Sequence, residues 1–392
     1  MNIEELDKEY VAGTYARFPL TIVKGKGSTV WDDEGKKYID LSTGIAVNSF
    51  GIADGEWMKA VTKQLGSLQH MSNLYYTEPC AELAQMLCQR TGMDKVFFSN
   101  SGAEANECAV KAARKYAAEH RGAEYYNIIT LKNSFHGRTV TTLAATGQDV
   151  FHHDFLPLTE GFLYAEANSI DDIKTLTESN KCAGVMIEVV QGEGGVNPLD
   201  KDYVKALAEL CAEKDLLLIC DEVQIGNGRS GKLYGYMHYG VQPDIVSTAK
   251  GLAGGLPLGA TLLGEKVQDV LTAGTHGSTF GGNPVCAAAA LATLQILSED
   301  VMGEITDKGN YLRGAIESME LPCLGKTRGL GLMIGIEVKP GRTNRDVAVQ
   351  LMENGLLVLT AGPALRLLPP LTITKDEMDK GLAIMKQTLG GM

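Results

Sequence analysis

The sequence predicts an α/β protein, with a large domain built on a mostly parallel sheet and a smaller α+β domain beside it. Three observations lead there. At 392 residues the chain exceeds what one ordinary core serves, so a large unit and a smaller one are expected. From about residue 55 to 285, short β-rich apolar runs alternate with helical patterns, the arrangement that covers both faces of a parallel sheet. Beyond that stretch the order becomes helix, strand, helix, helix, which suits a separate α+β unit. The boundaries fall at 1–50 for an N-terminal arm that also supplies part of the small domain, 51–293 for the large domain and 294–392 for the C-terminal small domain.

Taken in order, GKGSTVWDDEGKKYIDL reads as a hairpin around the turn signal Asp32-Asp33-Glu34-Gly35. Strands are expected at 95–99, 128–131, 184–190, 216–221 and 259–263, with helices over 103–120 and 202–214. The Ala-rich stretch 283–297 reads as a packing helix. A helix over 300–319, a strand over 332–338, a helix over 345–354 and a last helix from Lys375 complete the chain.

Composition narrows the function. Apolar residues make up 44% and charged residues 21%, as in a soluble globular protein. A net charge of -12 argues against nucleic acid or an anionic membrane as partner, while leaving room for a local arginine to bind an anion. The eight cysteines form no C-x-x-C pair and several sit in apolar runs, as buried free thiols in a reducing compartment would. The start MNIEELDKEY is acidic and polar, unlike a signal peptide, and no apolar run approaches the ~20 residues that span a bilayer. A cytoplasmic protein is expected. The seven histidines show no H-x-x-x-H or H-E-x-x-H spacing, so no metal site is expected, and without G-x-S-x-G a serine hydrolase has no support.

Three segments carry chemistry. In SNSGAEANECAVKAARKY a strand runs through a small-residue turn into a helix, with Ser101 and Glu104 forming a capping box. Free N–H groups at such a helix start suit a phosphate, although an ordinary capped helix has the same look. In LLLICDEVQIGNGRSG, Asp221 ends a buried apolar strand, at the sheet edge where ligands bind in α/β folds. Strand periodicity puts Asp221 and Val223 on one face and Glu222 on the other. That acid could hold a protonated ring nitrogen, or it could be a capping or salt-bridged aspartate. In DIVSTAKGLAGGLPLGA, Lys250 is wedged among small and apolar residues, where desolvation would lower its pKa and free the amine for imine formation. A surface lysine is the plain alternative. The flanking Gly251, Gly254, Gly255 and Gly259 favour close approach to a flat ligand. Gly226, Gly228 and Gly231 spell G-x-G-x-x-G, but KLYGYMHYG follows in place of a helix, so a dinucleotide site is rejected.

Phosphate turn, acid and lysine in that order resemble the layout of fold-type-I pyridoxal-phosphate (PLP) aminotransferases. SGAEAN, FHGR, QGEGG, DEVQ, AKGLAGG and GSTFGGNP, in sequence over nearly the whole chain, resemble the class III (ω-amino) subgroup. GTYARFPL, STGIAVN and SNLYYTEP are most similar to its acetylornithine aminotransferases. The resemblance implies that Lys250 is the Schiff-base lysine and proton shuttle, and that Asp221 pairs with the ring nitrogen. It implies that Ser101, Gly102 and Ala103 bind the phosphate, joined by Thr279 from the second subunit of a homodimer. Phe135 would stack on the ring, Val223 pack beneath it and Gln224 bond its oxygen, with Glu222 in the same cofactor-binding segment. Arg138 would take the substrate carboxylate with Ser278 nearby, and Arg366 a carboxylate of glutamate or 2-oxoglutarate. Glu193 would mask Arg366 for substrates that lack the second carboxylate.

Two departures stand out. GIADGE at 51–56 replaces the family's GH-x-HP, and Ile225-Gly226 with Asn227 follows DEVQ where Thr-Gly is usual. The implied reaction takes the terminal amino group of N2-acetyl-L-ornithine to 2-oxoglutarate, in arginine biosynthesis. Gly44, where ornithine aminotransferases carry Tyr, leaves room for the acyl group. Ornithine, succinylornithine or another ω-amino acid is the rival substrate, and a PLP-dependent aminomutase the rival reaction.

Overall fold

The longest buried apolar runs become neighbouring strands of one sheet. In the computed structural model, which describes residues 2–391, seven strands form it. They are β1 (Lys95–Ser99), β2 (Asn127–Leu131), β3 (Phe162–Ala165), β4 (Cys182–Ile187), β5 (Leu217–Asp221), β6 (Ile245–Thr248) and β7 (Gly259–Leu263). Their spatial order is β1-β7-β6-β5-β4-β2-β3. Every strand of β4 to β7 is buried along its whole length, as expected of a sheet covered on both faces. A buried Leu or Ile contributes roughly 1.5–3 kcal/mol, so β5, with Leu217, Leu218 and Ile219 all buried, anchors the core.

The pairs β6–β5, β5–β4, β4–β2 and β2–β3 are parallel, whereas β7 runs antiparallel to both β6 and β1. The apolar content of β7 carries no mark of its direction. Reversing it alone keeps the C-terminal ends of β1, β2, β4, β5 and β6 on one edge, and sets the start of β7 there too.

Three smaller sheets complete the molecule. Strands Ile22–Lys26, Thr29–Asp32 and Lys37–Asp40 form an antiparallel run, and Leu356–Leu357 pairs in parallel with the third of them. The N-terminal strands thus join a C-terminal one. Strands Leu324–Leu330, Met333–Val338, Ala364–Leu367 and Leu359–Ala361 form a second sheet, which carries Arg366. Val190–Gln191 and Asn197–Pro198 pair around the turn that holds Glu193.

The helix Gly102–His120 buries Ala105, Cys108, Ala109, Ala112 and Tyr116 against the sheet. Its N-cap is the Ser101 side chain, which accepts from the Glu104 amide. Helices Gly55–Leu65, Glu78–Thr91 and Ile170–Ser179 are absent from the sequence expectation and bury few side chains: none in the first, Leu83, Leu87 and Thr91 in the second, and Ile173 in the third. The first two pack on Pro284–Ile296, whose apolar residues face inward on nearly every side. Among the described residues no single helix is long and apolar enough to cross a membrane, and no group of three or more His, Cys, Asp or Glu side chains is placed to hold a metal ion.

Candidate active site

A cavity of about 500 Å³ opens at the sheet edge where β1, β5 and β6 end. Each strand delivers a polar residue to it because a parallel sheet aligns its strand ends. From β1 come Asn100, Ser101 and the helix start at Gly102 and Ala103. From β5 come Asp221, Val223 and Gln224, and from β6 comes Lys250. The loop after β2 adds Phe135, His136 and Arg138, and the end of β4 adds Glu188.

Asp221 is nearly sealed from solvent, and both its oxygens are engaged. Its Oδ2 accepts from Asn106 Nδ2 and pairs with His136 Nδ1, each at 2.8 Å, and its Oδ1 accepts the Val223 amide at 3.0 Å. Burial disfavours the charge on His136, but the hydrogen bond to Asp221 and the charges of Asp221 and Glu188 outweigh it and raise the His136 pKa. Glu188 accepts the amides of Phe135 (2.9 Å) and Gly192 (3.4 Å). Burial pushes its carboxyl up to about 7, opposed by His136 and reinforced by the negative Asp221. Lys250 keeps part of its surface open to the cavity. Desolvation lowers its amine pKa, with Arg366 acting the same way, against Asp221, Glu193 and Glu188.

The phosphate corner is built by backbone. The amides of Gly102 and Ala103 donate to no acceptor among the described residues, as the first turn of a helix leaves them. A Cβ on Gly102 would lie 2.6 Å from Val223 Cγ1, so only glycine lets the turn close over that side chain. Arg138 is exposed and lies over the rings of Phe151 and Phe135, its guanidinium carbon 4.0 and 5.5 Å from their centroids.

Arg366 sits one layer behind. It is 2% exposed, ion-paired to Glu193, and donates to Gln224 Oε1 at 2.8 Å and to the carbonyls of Gly192 and Thr360 at 3.3 Å. With its Oε1 engaged there, Gln224 has an amide nitrogen that donates to no acceptor among the described residues. A Cβ on Gly192 would run into the amide end of Gln224, so a side chain there would displace Gln224 from Arg366.

Of the residues read from the sequence, Ser101, Gly102, Ala103, Phe135, Arg138, Asp221, Val223, Gln224 and Lys250 line one cavity. Glu222 is corrected. It is fully buried, does not line the cavity, and accepts the amides of Gly235 (2.6 Å) and Tyr236 (2.8 Å), so it organises the following loop. The alternating strand direction that turns Asp221 inward turns Glu222 outward. Ser278 and Thr279 lie in a neighbouring depression with His70 and Leu74, outside the cavity of their own chain. Ser278 Oγ connects the two by accepting from Asn100 Nδ2 at 3.1 Å.

Asn100, Asn106, His136 and Glu188 were missed as site residues. Their signals were present. His136 stands between Phe135 and Arg138 in FHGR, Asn106 lies one helical turn after Gly102, and Glu188 ends the apolar run GVMIE just as Asp221 ends LLLIC.

The sequence model of the family described as Aminotransferase class-III matches residues 10–389. The acetylornithine aminotransferase of Haemophilus ducreyi is 50% identical over 390 residues, covering 100% of this chain and 99% of that protein. An ornithine aminotransferase structure from Toxoplasma gondii superposes with a TM-score of 0.95 at 32% identity, over 99% of this chain and 95% of that one. An acetylornithine aminotransferase structure from Elizabethkingia anophelis gives 0.88 at 33%, over 99% and 98%.

Proposed function

The chain belongs to the class-III aminotransferase family and uses pyridoxal phosphate, and on that premise we propose that it moves the terminal amino group of N2-acetyl-L-ornithine to 2-oxoglutarate. The cavity fits the cofactor. Two free amides at a helix start suit its phosphate, a buried carboxylate suits a protonated ring nitrogen, and an amine of lowered pKa suits its aldehyde. When bound, the cofactor supplies that aldehyde and a ring that withdraws electrons from the substrate carbon.

The chain's own residues do the rest. Gly102 and Ala103 would hold the phosphate, and Phe135 and Val223 would confine the ring. Asp221, fixed by Asn106 and His136, would keep the ring nitrogen protonated. Gln224 Nε2 is free to donate to the ring oxygen. Lys250 Nζ would carry the cofactor at rest and, once released, take a proton from the substrate carbon that bears nitrogen and return it on the far side of that nitrogen. Arg138, at the open side, would take the carboxylate that both substrates share.

The observation that carries this reading is the Arg366–Glu193 pair behind the cavity. A buried guanidinium needs a counter-charge. Glu193 supplies it while a one-carboxylate donor is present, and the second carboxylate of 2-oxoglutarate replaces it in the other half-reaction. Acylated ornithine is favoured over ornithine by relatives 42–50% identical to this chain that are named acetylornithine aminotransferase. It is also favoured by the space at Gly44, where the nearest atom to an added Cβ would be Asn48 Nδ2 at 3.7 Å.

The active unit in this reading is a homodimer. Leu74, Tyr75, Tyr76 and Phe280 are 87%, 62%, 106% and 59% exposed beside the depression that holds Thr279, an apolar surface suited to a second copy that would receive Thr279 at its phosphate site. A cytoplasmic location agrees with eight free cysteines. Turnover of acetylornithine, succinylornithine, ornithine and 4-aminobutyrate, each with 2-oxoglutarate, tests the substrate. Acetylornithine should give the highest kcat/KM. Preference for ornithine or 4-aminobutyrate would overturn the substrate reading, and turnover without 2-oxoglutarate would overturn the transfer.

A further inference from the structure

Lys250 leaves its strand in an unusual backbone state. It has φ of +43°, in the left-handed region that disfavours any residue with a side chain. Ala249, just before it, has φ -166° and ψ -138°, and Gly254 closes the short turn in the left-handed region. A lysine held this way needs its neighbouring peptides fixed, or the turn relaxes and the amine swings off its line.

The fixing comes from another strand's loop. The Ala249 carbonyl accepts two hydrogen bonds, from the Leu252 amide at 2.9 Å and from Asn227 Nδ2 at 3.0 Å. The Asn227 amide nitrogen also donates to Thr248 Oγ1 at 3.0 Å. Both protons of one side-chain amide are therefore spent on the two residues that precede Lys250. The carbonyl can only accept, so the nitrogen must face it, and Oδ1, buried, finds no partner among the described residues. Asn227 is 2% exposed and belongs to the loop that begins with Asp221, Val223 and Gln224. It touches neither the cavity nor the amine.

We propose that Asn227 is a positioning residue for Lys250: its side-chain amide ties the loop of the ring-holding acid to the peptide that sets the direction of the lysine. The proposal rests on the reading of Lys250 as the cofactor-bearing lysine. Asn227 has φ of +57°, a conformation asparagine tolerates, so it could be there for its backbone alone. Asn227→Gly separates the two roles, because glycine keeps the backbone and removes the amide. Asn227→Leu removes the amide and strains the backbone as well.

Two measurements on Asn227→Gly test it. In the apoenzyme, the pH dependence of reductive methylation at Lys250, followed by peptide mass, reports the amine pKa. The charges that bear on it, Asp221, Arg366, Glu193 and Glu188, are unchanged in the variant. Freed from its fixed line, the amine should titrate higher than in the wild type. In the holoenzyme, single-turnover rates with the amino donor and with 2-oxoglutarate should both fall by the same factor, about three- to tenfold, with little change in either KM. Wild-type Lys250 titration in the folded variant, or a loss confined to one co-substrate, would overturn the proposal. So would wild-type rates in Asn227→Gly with a defect only in Asn227→Leu, which would assign Asn227 to backbone conformation. Borohydride reduction of the wild-type holoenzyme that labels a different lysine would overturn the reading beneath it and the proposal with it.

Discussion

Replacing Glu193 with alanine should separate the two half-reactions. In the structure Glu193 is the only charged partner of Arg366 among the described residues, and the guanidinium keeps neutral acceptors on Gln224, Gly192 and Thr360 when it is lost. A hydrogen bond between charged groups contributes roughly 1.5–3 kcal/mol. The Glu193 side chain is 33% exposed, so solvent screening reduces this to about 1–2 kcal/mol. The second carboxylate of 2-oxoglutarate must displace Glu193 to reach Arg366, and Glu193→Ala removes that competitor. The 2-oxoglutarate half-reaction should then saturate at about 5- to 30-fold lower concentration. The acetylornithine half-reaction should not gain, and its KM should rise as the bare Arg366 captures the donor carboxylate in the wrong place. The apoenzyme should melt at lower temperature, with a buried cation left unpaired, and glutarate should restore it. Stopped-flow absorbance with each co-substrate alone, with melting curves with and without glutarate, decides the matter. Equal changes in both half-reactions, or an unchanged 2-oxoglutarate response, would refute the exchange of carboxylates at Arg366.

Lys250→Ala should still bind pyridoxal phosphate through Asp221 and the Gly102 turn but lose its attachment, so borohydride followed by peptide mapping should label Lys250 in the wild type and nothing in the variant. Active enzyme should sediment as a dimer, and Thr279→Val should weaken cofactor affinity about tenfold, as loss of a phosphate contact predicts; an active monomer would contradict the crossing of Thr279. Glu188 tests the electrostatics. Its folded pKa, about 7, lies above the ordinary carboxylate value, so its contribution to stability is full below that ordinary value and is lost as pH rises through about 7. Glu188→Gln removes this dependence, and the melting temperature of the variant relative to wild type should climb between pH 5 and pH 8; a flat difference would show that the buried carboxyl is not held protonated.

Much of the fold and the cofactor corner was legible in the chain because the signals are local. Apolar runs that end in Asp221 or lead to Lys250 declare both a buried strand and its ligand-binding end, since a parallel sheet gathers those ends on one edge. The S-x-x-E pattern at Ser101 marks a helix start, and a helix start leaves amides free. The two-residue period of a strand had already turned Glu222 away from Asp221, and the correction at Glu222 follows that period over the resemblance.

Only the tertiary structure decided the remainder, because it depends on groups far apart in sequence. The reversed direction of β7 is set by its partners β6 and β1, not by its composition. Asp221 gains Asn106 and His136, residues 115 and 85 positions away, through the packing of one helix and one loop over the end of β5. Arg366 meets Gln224 across 142 positions, beside the Glu193 partner that the resemblance implied, because the small sheet docks against two loops of the large one. Asn227 reaches the peptide before Lys250 because β5 and β6 lie side by side, which aligns the loops that follow them. A sequence pattern records which side chain points inward along its own element; which partner it finds there is fixed by the register between elements.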